Sequence, residues 1–335
     1  MKRRFSIAAW ATQLTALFCG IVLGQSPPPA IPTIDLENFV EYRQSILYDP
    51  STYATDPKIT TVVTTTRNFN VATLLGDIVA VNGQPAKGLY VGRTRGIQAT
   101  PTPVPGNAIA DVTRTSFREY VFEILKFDGT PVGTLLGSGF AGGPPPPGAP
   151  LASQGSNYAI TGGTGAFLGA RGQLGEGPGG GRAALISEDP FDRRINGGNK
   201  KRFILHVIPM YVPQIVATAN GPAVSHSSDF TLVSASKPAT AGEILSLFAT
   251  GLGPVNPGAD PGQPFPSTPP ATVNSPIEVR VSDNPAEVLG AVGFPGAADG
   301  YQVNFRMPQG IPKGTATIQV SAAWVAGTPV TVAVQ

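Results

Sequence analysis

The chain has 335 residues, with 23 lysines and arginines against 21 aspartates and glutamates. Its net charge of +2 lacks the positive excess expected of a nucleic-acid-binding domain, so we predict no nucleic-acid partner. Glycine and proline are abundant, at 41 and 35 residues, which indicates many turns and few long helices.

The N-terminus has the pattern of a secretory signal peptide. Basic residues at positions 2–4 precede an apolar run over residues 7–23, and Gly24 is a small residue suited to cleavage. An uncleaved anchor helix is the alternative, for which the run is marginal in length. We therefore predict a secreted, extracellular protein cleaved after Gly24, with no later membrane span.

Cleavage after Gly24 would remove Cys19, the single cysteine of the chain, together with three of the 23 basic residues. The mature chain would hold 20 basic against 21 acidic residues and would have no disulfide and no thiol nucleophile. We predict no cofactor and no metal site. About 310 residues are enough for two domains that fold on their hydrophobic cores.

The first elements after the signal peptide are an extended leader and a helix candidate. Residues 25–32 are rich in proline and are predicted to be extended. Residues 36–47 form the best helix candidate, because their apolar side chains can cluster on one side behind Asp35 as an N-cap. An extended N-terminal arm is the alternative for this segment.

Strand-like runs with short connections follow up to residue 208, which favours a closed antiparallel barrel or a sandwich over residues 33–213. Asn82-Gly83 and Asp128-Gly129 are hairpin signals between them. The predicted strands cover residues 60–66, 77–81, 88–95, 118–127, 132–136, 158–161, 182–188 and 202–208.

Residues 214–335 are lower in charge and favour an immunoglobulin-like β-sandwich, because short strands alternate with proline- and glycine-rich loops. The predicted strands cover residues 243–249, 277–281, 301–306, 316–320 and 329–334. The whole protein is therefore predicted to be all-β.

The chain has two histidines, and neither lies in a G-x-S-x-G or H-E-x-x-H motif. His206 alternates with Ile204 and Ile208, which indicates a hydrogen-bonded histidine on a strand. His226 lies between serines, and we expect it in an exposed loop.

The glycine-rich segment 158–172 has two interpretations. A dinucleotide-binding loop requires a third glycine at position 168, where Leu168 stands, and a following helix, which the glycines of 172–181 exclude. We therefore predict a strand-to-strand turn with positive φ at its glycines and with Phe167 in the core. The motif residues are Gly162, Gly163, Thr164, Gly165 and Gly172.

The run G-G-T-G at 162–165, with Phe167 and A-R-G at 170–172, resembles the signature of the dirigent and allene-oxide-cyclase-like barrel family. The run G-R-T-R-G at 92–96 is similar to a strand of that family. The resemblance covers roughly residues 60–210. It implies a closed antiparallel barrel of about eight strands, a small hydrophobic or aromatic ligand, and often homo-oligomers.

Residues 214–335 resemble an uncharacterised C-terminal domain of secreted acidobacterial proteins, for example in the run F-A-T-G-L-G-P-V-N-P at 248–257. This second resemblance implies export and an accessory role. A partner in the cell envelope would fit such a role.

The barrel resemblance implies a pocket that acts by confinement and orientation. If the strand face that carries Leu89 and Val91 is internal, its two arginines would orient a carboxylate or phenolate. The candidate ligand-binding residues are Arg93, Arg95, Tyr90, Tyr120, Phe167 and Arg171. The candidate catalytic residues are Arg171, Arg93 and Glu119.

Three functions remain open from the sequence. The first is a secreted binding protein with an accessory C-terminal sandwich. The second is a dirigent-like or cyclase-like enzyme, for which we expect a hollow barrel with Arg93 or Arg171 directed inward. The third is a structural or adhesive envelope protein, for which we expect a filled barrel core.

Overall fold

A computed structural model of the chain describes residues 33–47, 70–96, 116–141, 158–177, 183–184, 200–260 and 262–335. These residues form strands, turns and loops without a helix, so the protein is all-β as predicted. The chain divides into a unit of residues Met1–Ile31 and a compact unit of residues Pro32–Gln335. The predicted signal peptide, the leader and the strand over 60–66 lie outside the described residues.

The N-terminal sheet is a curled, mainly antiparallel sheet of ten strands. Its strands are β1 (Thr33–Leu47), β2 (Asn70–Asp77), β3 (Ala80–Val81), β4 (Gln84–Gly96), β5 (Ser116–Lys126), β6 (Pro131–Ala141), β7 (Tyr158–Gly165), β8 (Arg171–Glu176), β9 (Ala183–Ala184) and β10 (Lys200–Ile208). Their order is β10-β8-β7-β6-β5-β4-β2-β1-β3, and β1 also pairs with β10.

The C-terminal sheet contains eleven strands, and seven of them pair in the antiparallel order β11-β15-β20-β19-β18-β21-β22. The remaining strands of the chain are β11 (Gln214–Ile215), β12 (Ala217–Thr218), β13 (Gly221–Pro222), β14 (Val224–His226), β15 (Ile244–Thr250), β16 (Val255–Asn256), β17 (Thr272–Val273), β18 (Ile277–Val281), β19 (Asn284–Gly293), β20 (Tyr301–Arg306), β21 (Gly314–Ala322), β22 (Val325–Ala326) and β23 (Val330–Val334). Strands β12 and β13 pair only with each other.

The predicted helix over residues 36–47 is wrong, because this segment belongs to the 15-residue strand β1. Residues 33–40 of β1 pair with β10, and residues 40–47 pair with β2. Backbone hydrogen bonds to two neighbouring strands therefore replace those that a helix would make within itself. The extended alternative describes the segment correctly.

Both predicted hairpins of the N-terminal sheet are confirmed. Asn82 and Gly83 have φ values of 49° and 74° between β3 and β4, as a two-residue turn of the type I′ kind requires. Gly129 has a φ of 92° between β5 and β6. The predicted strand over 77–81 is interrupted, because β2 ends at Asp77 and β3 begins at Ala80.

The glycine motif forms the end of strand β7, and the turn begins after it. Gly162 and Gly163 pair with Leu136 and Leu135 of β6, and neither has a positive φ, which corrects the prediction. Gly165 does have a positive φ, of 62°. The turn over residues 166–169 then folds back over the strand, so that a Cβ at Gly163 would lie 2.3 Å from the Phe167 carbonyl oxygen.

We expect Gly163→Ala to lower the free energy of unfolding by about 1–3 kcal/mol, because the new methyl group overlaps backbone atoms that cannot move freely. Gly162→Ala is the matched control, since its nearest neighbour would be 3.8 Å away. Urea unfolding of both variants measures the difference. Equal stabilities would contradict the packing assigned to this motif.

A turn of the C-terminal sheet lies in the core of the N-terminal sheet. Ala323, between β21 and β22, is 2% exposed and belongs to the same hydrophobic cluster as Val81 and Ile124. Trp324 packs against that cluster and is partly buried. The two sheets therefore share buried apolar surface, and the turn between β21 and β22 helps to complete the core of the N-terminal sheet.

Candidate functional site

The interior of the N-terminal sheet is filled by aromatic side chains from neighbouring strands. Tyr90, Tyr120, Phe122 and Phe203 are at most 1% exposed. The Phe203 ring centroid lies 4.9 Å from that of Phe122 and 5.1 Å from that of Tyr90. These distances are those of touching rings, so no ligand fits between them without displacing a side chain.

A polar cluster, which comprises Arg118, Tyr120, Tyr158 and Glu176, borders this aromatic interior. Glu176 Oε2 accepts hydrogen bonds from Arg118 Nη1 at 2.6 Å, from the Tyr120 hydroxyl at 2.5 Å and from the Tyr158 hydroxyl at 3.2 Å. Arg118 Nη1 also donates to the Tyr120 hydroxyl at 3.3 Å. The Glu176 side chain is 9% exposed and that of Arg118 is 23% exposed.

Strand alternation builds this cluster. Arg118 belongs to an alternating series on β5 that continues inward with Tyr120, Phe122 and Ile124. Glu176 ends β8, in phase with the buried Leu174, and Leu174 pairs with Tyr158 of β7. The cluster therefore collects one ionic pair and two phenols at one end of these strands.

The cluster fixes the protonation of Tyr120 and Arg118. Burial raises the pKa of Tyr120 well above its usual value, and the charge of Glu176 raises it further, so the hydroxyl stays protonated as a donor. Burial lowers the pKa of Arg118, but its interactions with Tyr120 and Glu176 outweigh this and leave the pKa above its ordinary value. The result is a fixed arrangement of three donors around one carboxylate oxygen.

Three of the sequence-predicted residues lie in the interior. Tyr90 and Tyr120 face each other with ring centroids 5.7 Å apart. Phe167 is 2% exposed and belongs to the same core cluster. All three side chains help to fill the core of the N-terminal sheet.

Arg93, Arg95 and Glu119 lie on the outer face of the N-terminal sheet. Arg93 and Arg95 are exposed, and Arg95 Nη2 lies 3.5 Å from Glu119 Oε2 in a solvent-facing ion pair. Leu89, on the same face, is 40% exposed. These arginines were expected to orient a ligand only if their strand face were internal. The fold places that face outside, so the condition is not met.

Arg171 is also exposed, and its Nη1 donates to the Ala170 carbonyl oxygen at 2.8 Å. This contact braces the turn that follows the glycine motif. The structure thus separates Arg171 from Arg93 and from the aromatic interior.

Sequence reasoning missed Arg118 and Glu176. A signal for Arg118 exists, because it is the charged residue in phase with Tyr120 and Phe122 on a strand whose other face carries Glu119 and Glu123. Glu176 has no such signal, since glycines surround it in the run G-E-G at 175–177. The partners of Glu176 can be identified only from the position of β8 in the sheet.

His206 and His226 are both hydrogen-bonded strand residues. His206 Nδ1 lies 3.3 Å from Gln173 Nε2 on β8, as the prediction for a strand histidine requires. The prediction of an exposed loop for His226 is wrong, because His226 ends β14 and is 3% exposed. A neighbouring carboxylate makes this burial favourable, since His226 Nδ1 bonds to Glu243 Oε1.

The contacts of His226 describe a structural role. Its Nε2 lies 3.2 Å from the Lys237 carbonyl oxygen, an acceptor, so this nitrogen donates and is not directed at a serine hydroxyl. Burial raises the pKa of Glu243, but the hydrogen bonds from His226 and Thr240 outweigh it and lower that pKa. The arrangement therefore joins the 237–243 loop to β14 without the geometry of a nucleophile and base.

Neither a metal centre nor a known relative adds to this description. In the part of the chain that the structure describes, no group of three or more histidine, cysteine, aspartate or glutamate side chains is placed to hold a metal ion. Likewise, no helix within the described ranges is long and apolar enough to cross a membrane. Comparison with protein-family models, curated proteins and solved structures gave no significant match.

Proposed function

We propose that this chain is an exported binding protein whose N-terminal sheet takes a small aromatic or hydrophobic ligand at the polar cluster. The basic and apolar runs at residues 2–4 and 7–23 support export, with cleavage after Gly24. The C-terminal sheet would serve as an accessory module, with a cell-envelope partner. Homo-oligomers that form through the N-terminal sheet would follow from the resemblance of this sheet to the dirigent and allene-oxide-cyclase-like family.

The finer architecture is part of this proposal. The N-terminal sheet would close into an eight-stranded antiparallel barrel like that of dirigent and allene-oxide-cyclase-like proteins. Pairing of β1 with both β2 and β10 supports closure, since it joins the ends of the path β1-β2-β4-β5-β6-β7-β8-β10. The antiparallel C-terminal sheet, with its own buried core, supports an immunoglobulin-like sandwich.

One observation carries the proposed binding function, namely an ionic pair and two phenols buried against an aromatic interior. A buried carboxylate costs free energy even when it is fully hydrogen-bonded, so its presence in a core favours a functional explanation. A few convergent polar groups in an apolar lining are typical of small-molecule sites. The partly exposed Arg118 would bind the polar end of the ligand. Tyr120 and Tyr158 are each 1% exposed, so the apolar body of the ligand would have to displace a side chain in order to lie against their rings.

Binding is favoured over turnover because of where the arginines lie. An enzyme of the dirigent or cyclase kind was expected to direct Arg93 or Arg171 inward, and both are exposed. A structural or adhesive role is the second candidate. The contacts among Tyr90, Phe122 and Phe203 favour it, since these rings fill the interior at their level.

Thermal unfolding of the full-length protein with phenols, fatty acids and oxidised lipids tests the proposal. A ligand that binds the folded state raises Tm with concentration. We expect a saturable rise for at least one compound, and an affinity at least tenfold weaker in Arg118→Lys, which keeps the charge but loses the planar guanidinium. Arg95→Lys, on the outer face, is the matched control.

Two results would overturn this proposal in favour of the structural role. One is a constant Tm across the compounds. The other is a Tm rise that Arg118→Lys and Arg95→Lys share equally. Should Arg118→Lys fold poorly, Tyr158→Phe removes one donor of the cluster while the aromatic ring remains, and the same comparison applies.

A further inference from the structure

A cleft of about 790 Å³ lies where the N-terminal and C-terminal sheets meet. The β3–β4 and β5–β6 hairpins form one side, and β18, β21 and Trp324 form the other. Lys126 in this cleft is eight residues along β5 from Arg118, which is roughly 26 Å in a strand. The cleft is therefore separate from the polar cluster, and its volume falls in the range usual for ligand sites.

The C-terminal side of the cleft presents a grid of polar side chains on two paired strands. Glu278 of β18 stands opposite Ser321 of β21, and Arg280 stands opposite Gln319. Arg280 Nη2 lies 2.8 Å from Glu278 Oε1, so the two charges largely neutralise each other. The grid thus offers closely spaced donors and acceptors with little net charge.

Two aromatic side chains lie beside this polar grid. Phe127, from the β5–β6 hairpin, is 65% exposed, and Lys87 Nζ lies 5.3 Å from its ring centroid. Trp324 packs on the core with part of its side chain and lines the cleft with the rest. The cleft therefore presents aromatic surface from both of its sides, which a ligand with an apolar face could cover.

The polar grid together with the two aromatic side chains favours one class of ligand over the others. An apolar ligand would remove water from the charged and amide groups of the grid without replacing the hydrogen bonds that water makes to them, which costs free energy. A strongly anionic ligand is disfavoured, because both cations that line the cleft already have a carboxylate partner. Arg280 pairs with Glu278, and Lys126 Nζ lies 3.9 Å from Asp128 Oδ2. A neutral molecule with many hydroxyl groups and an apolar C–H face can satisfy the grid and cover the aromatic rings at the same time.

We propose that this cleft binds a short neutral oligosaccharide. The hydroxyl groups of the sugar bond to the amide, carboxylate and guanidinium groups of the cleft, and its C–H faces lie on Phe127 and Trp324. Gln84, which is exposed on the β3–β4 hairpin, supplies a further amide from the opposite side. This site is independent of the ligand proposed for the polar cluster.

Tryptophan fluorescence tests the assignment directly. The chain has two tryptophans, so the full-length chain with Trp10→Phe leaves Trp324 as the sole reporter, inside the proposed site. We expect a saturable fluorescence change with at least one of cellotriose, xylotriose, maltotriose and chitotriose. Phenol, inorganic phosphate and trialanine serve as the other probes and are expected to give none.

Two variants locate the binding. Phe127→Ala and Gln84→Ala, both at exposed positions, are expected to weaken sugar binding at least tenfold. Phe140→Ala is the matched control, because Phe140 is 52% exposed on the same sheet but outside the cleft, and it should leave the affinity unchanged. Circular dichroism confirms that each variant is folded.

Several outcomes would overturn the oligosaccharide site. These are the absence of a saturable change with all four sugars, equal affinities in Phe127→Ala and Phe140→Ala, or a response to trialanine alone, which would indicate a peptide groove. Binding of phenols that Arg118→Lys weakens is a separate result. Each proposal can therefore fail while the other stands.

Discussion

Replacement of Glu176 by alanine is expected to lower the free energy of unfolding by about 3–5 kcal/mol. The carboxylate accepts hydrogen bonds from Arg118, Tyr120 and Tyr158, and its side chain is 9% exposed. Its removal leaves the partly buried guanidinium without a counter-charge and two buried hydroxyl groups without their acceptor. Chemical denaturation of the full-length protein measures the loss.

The matched control for this prediction is Glu123→Ala on strand β5 of the same sheet. Glu123 is exposed, so its removal should change stability by no more than about 0.5 kcal/mol. The double variant Arg118→Met with Glu176→Leu should be more stable than Glu176→Ala, because it removes both charges together. If Glu176→Ala and Glu123→Ala were equally stable, the ionic pair would not be buried as described.

The sequence predicted the all-β class and the hairpins because these depend on local chemistry. Asn82-Gly83 can adopt two successive positive φ angles at low cost, and the structure places a turn there. The strand over 277–281 and the strand over 301–306 have the predicted bounds. Alternating apolar residues and turn signals were sufficient for these elements.

Strand β19 is an element that local sequence signals do not predict. Its ten residues contain Pro285 and Gly290, and the pairing with β20 shifts register between Val288 and Gly290. The turn before it uses Ser282 and Asp283 at positive φ, without a glycine. Neither the strand nor its turn carries the usual sequence signal, so pairing with β18 and β20 determines the structure.

The choice between inner and outer faces could not be made from the sequence for the candidate site. Strand β4 carries Leu89 and Val91 on one face and Tyr90 on the other, so alternation alone does not tell which face is internal. The curl of the sheet places Tyr90 inside and Arg93 outside. The same ambiguity hid Arg118, which faces the interior although it is charged.

Ala323→Asp is expected to destabilise both sheets by several kcal/mol, although the residue belongs to a turn of the C-terminal sheet. Ala323 is 2% exposed within the core of the N-terminal sheet and has a φ of 48°. Aspartate accepts this left-handed backbone conformation readily, so the loss would come from burial of a carboxylate without a partner.

Hydrogen exchange read by mass spectrometry distinguishes a local from a shared effect of Ala323→Asp. We expect faster exchange in β3 to β6 of the N-terminal sheet, because the substitution lies among the side chains that these strands bury. Ala326→Asp is the matched control, since Ala326 is exposed on the same hairpin, and it should leave exchange in those strands unchanged. Faster exchange confined to residues 321–326 would contradict a shared core. Faster exchange across both sheets would instead mean that the two sheets open together, because the turn that carries Ala323 and Trp324 belongs to the C-terminal sheet and packs in the core of the N-terminal one.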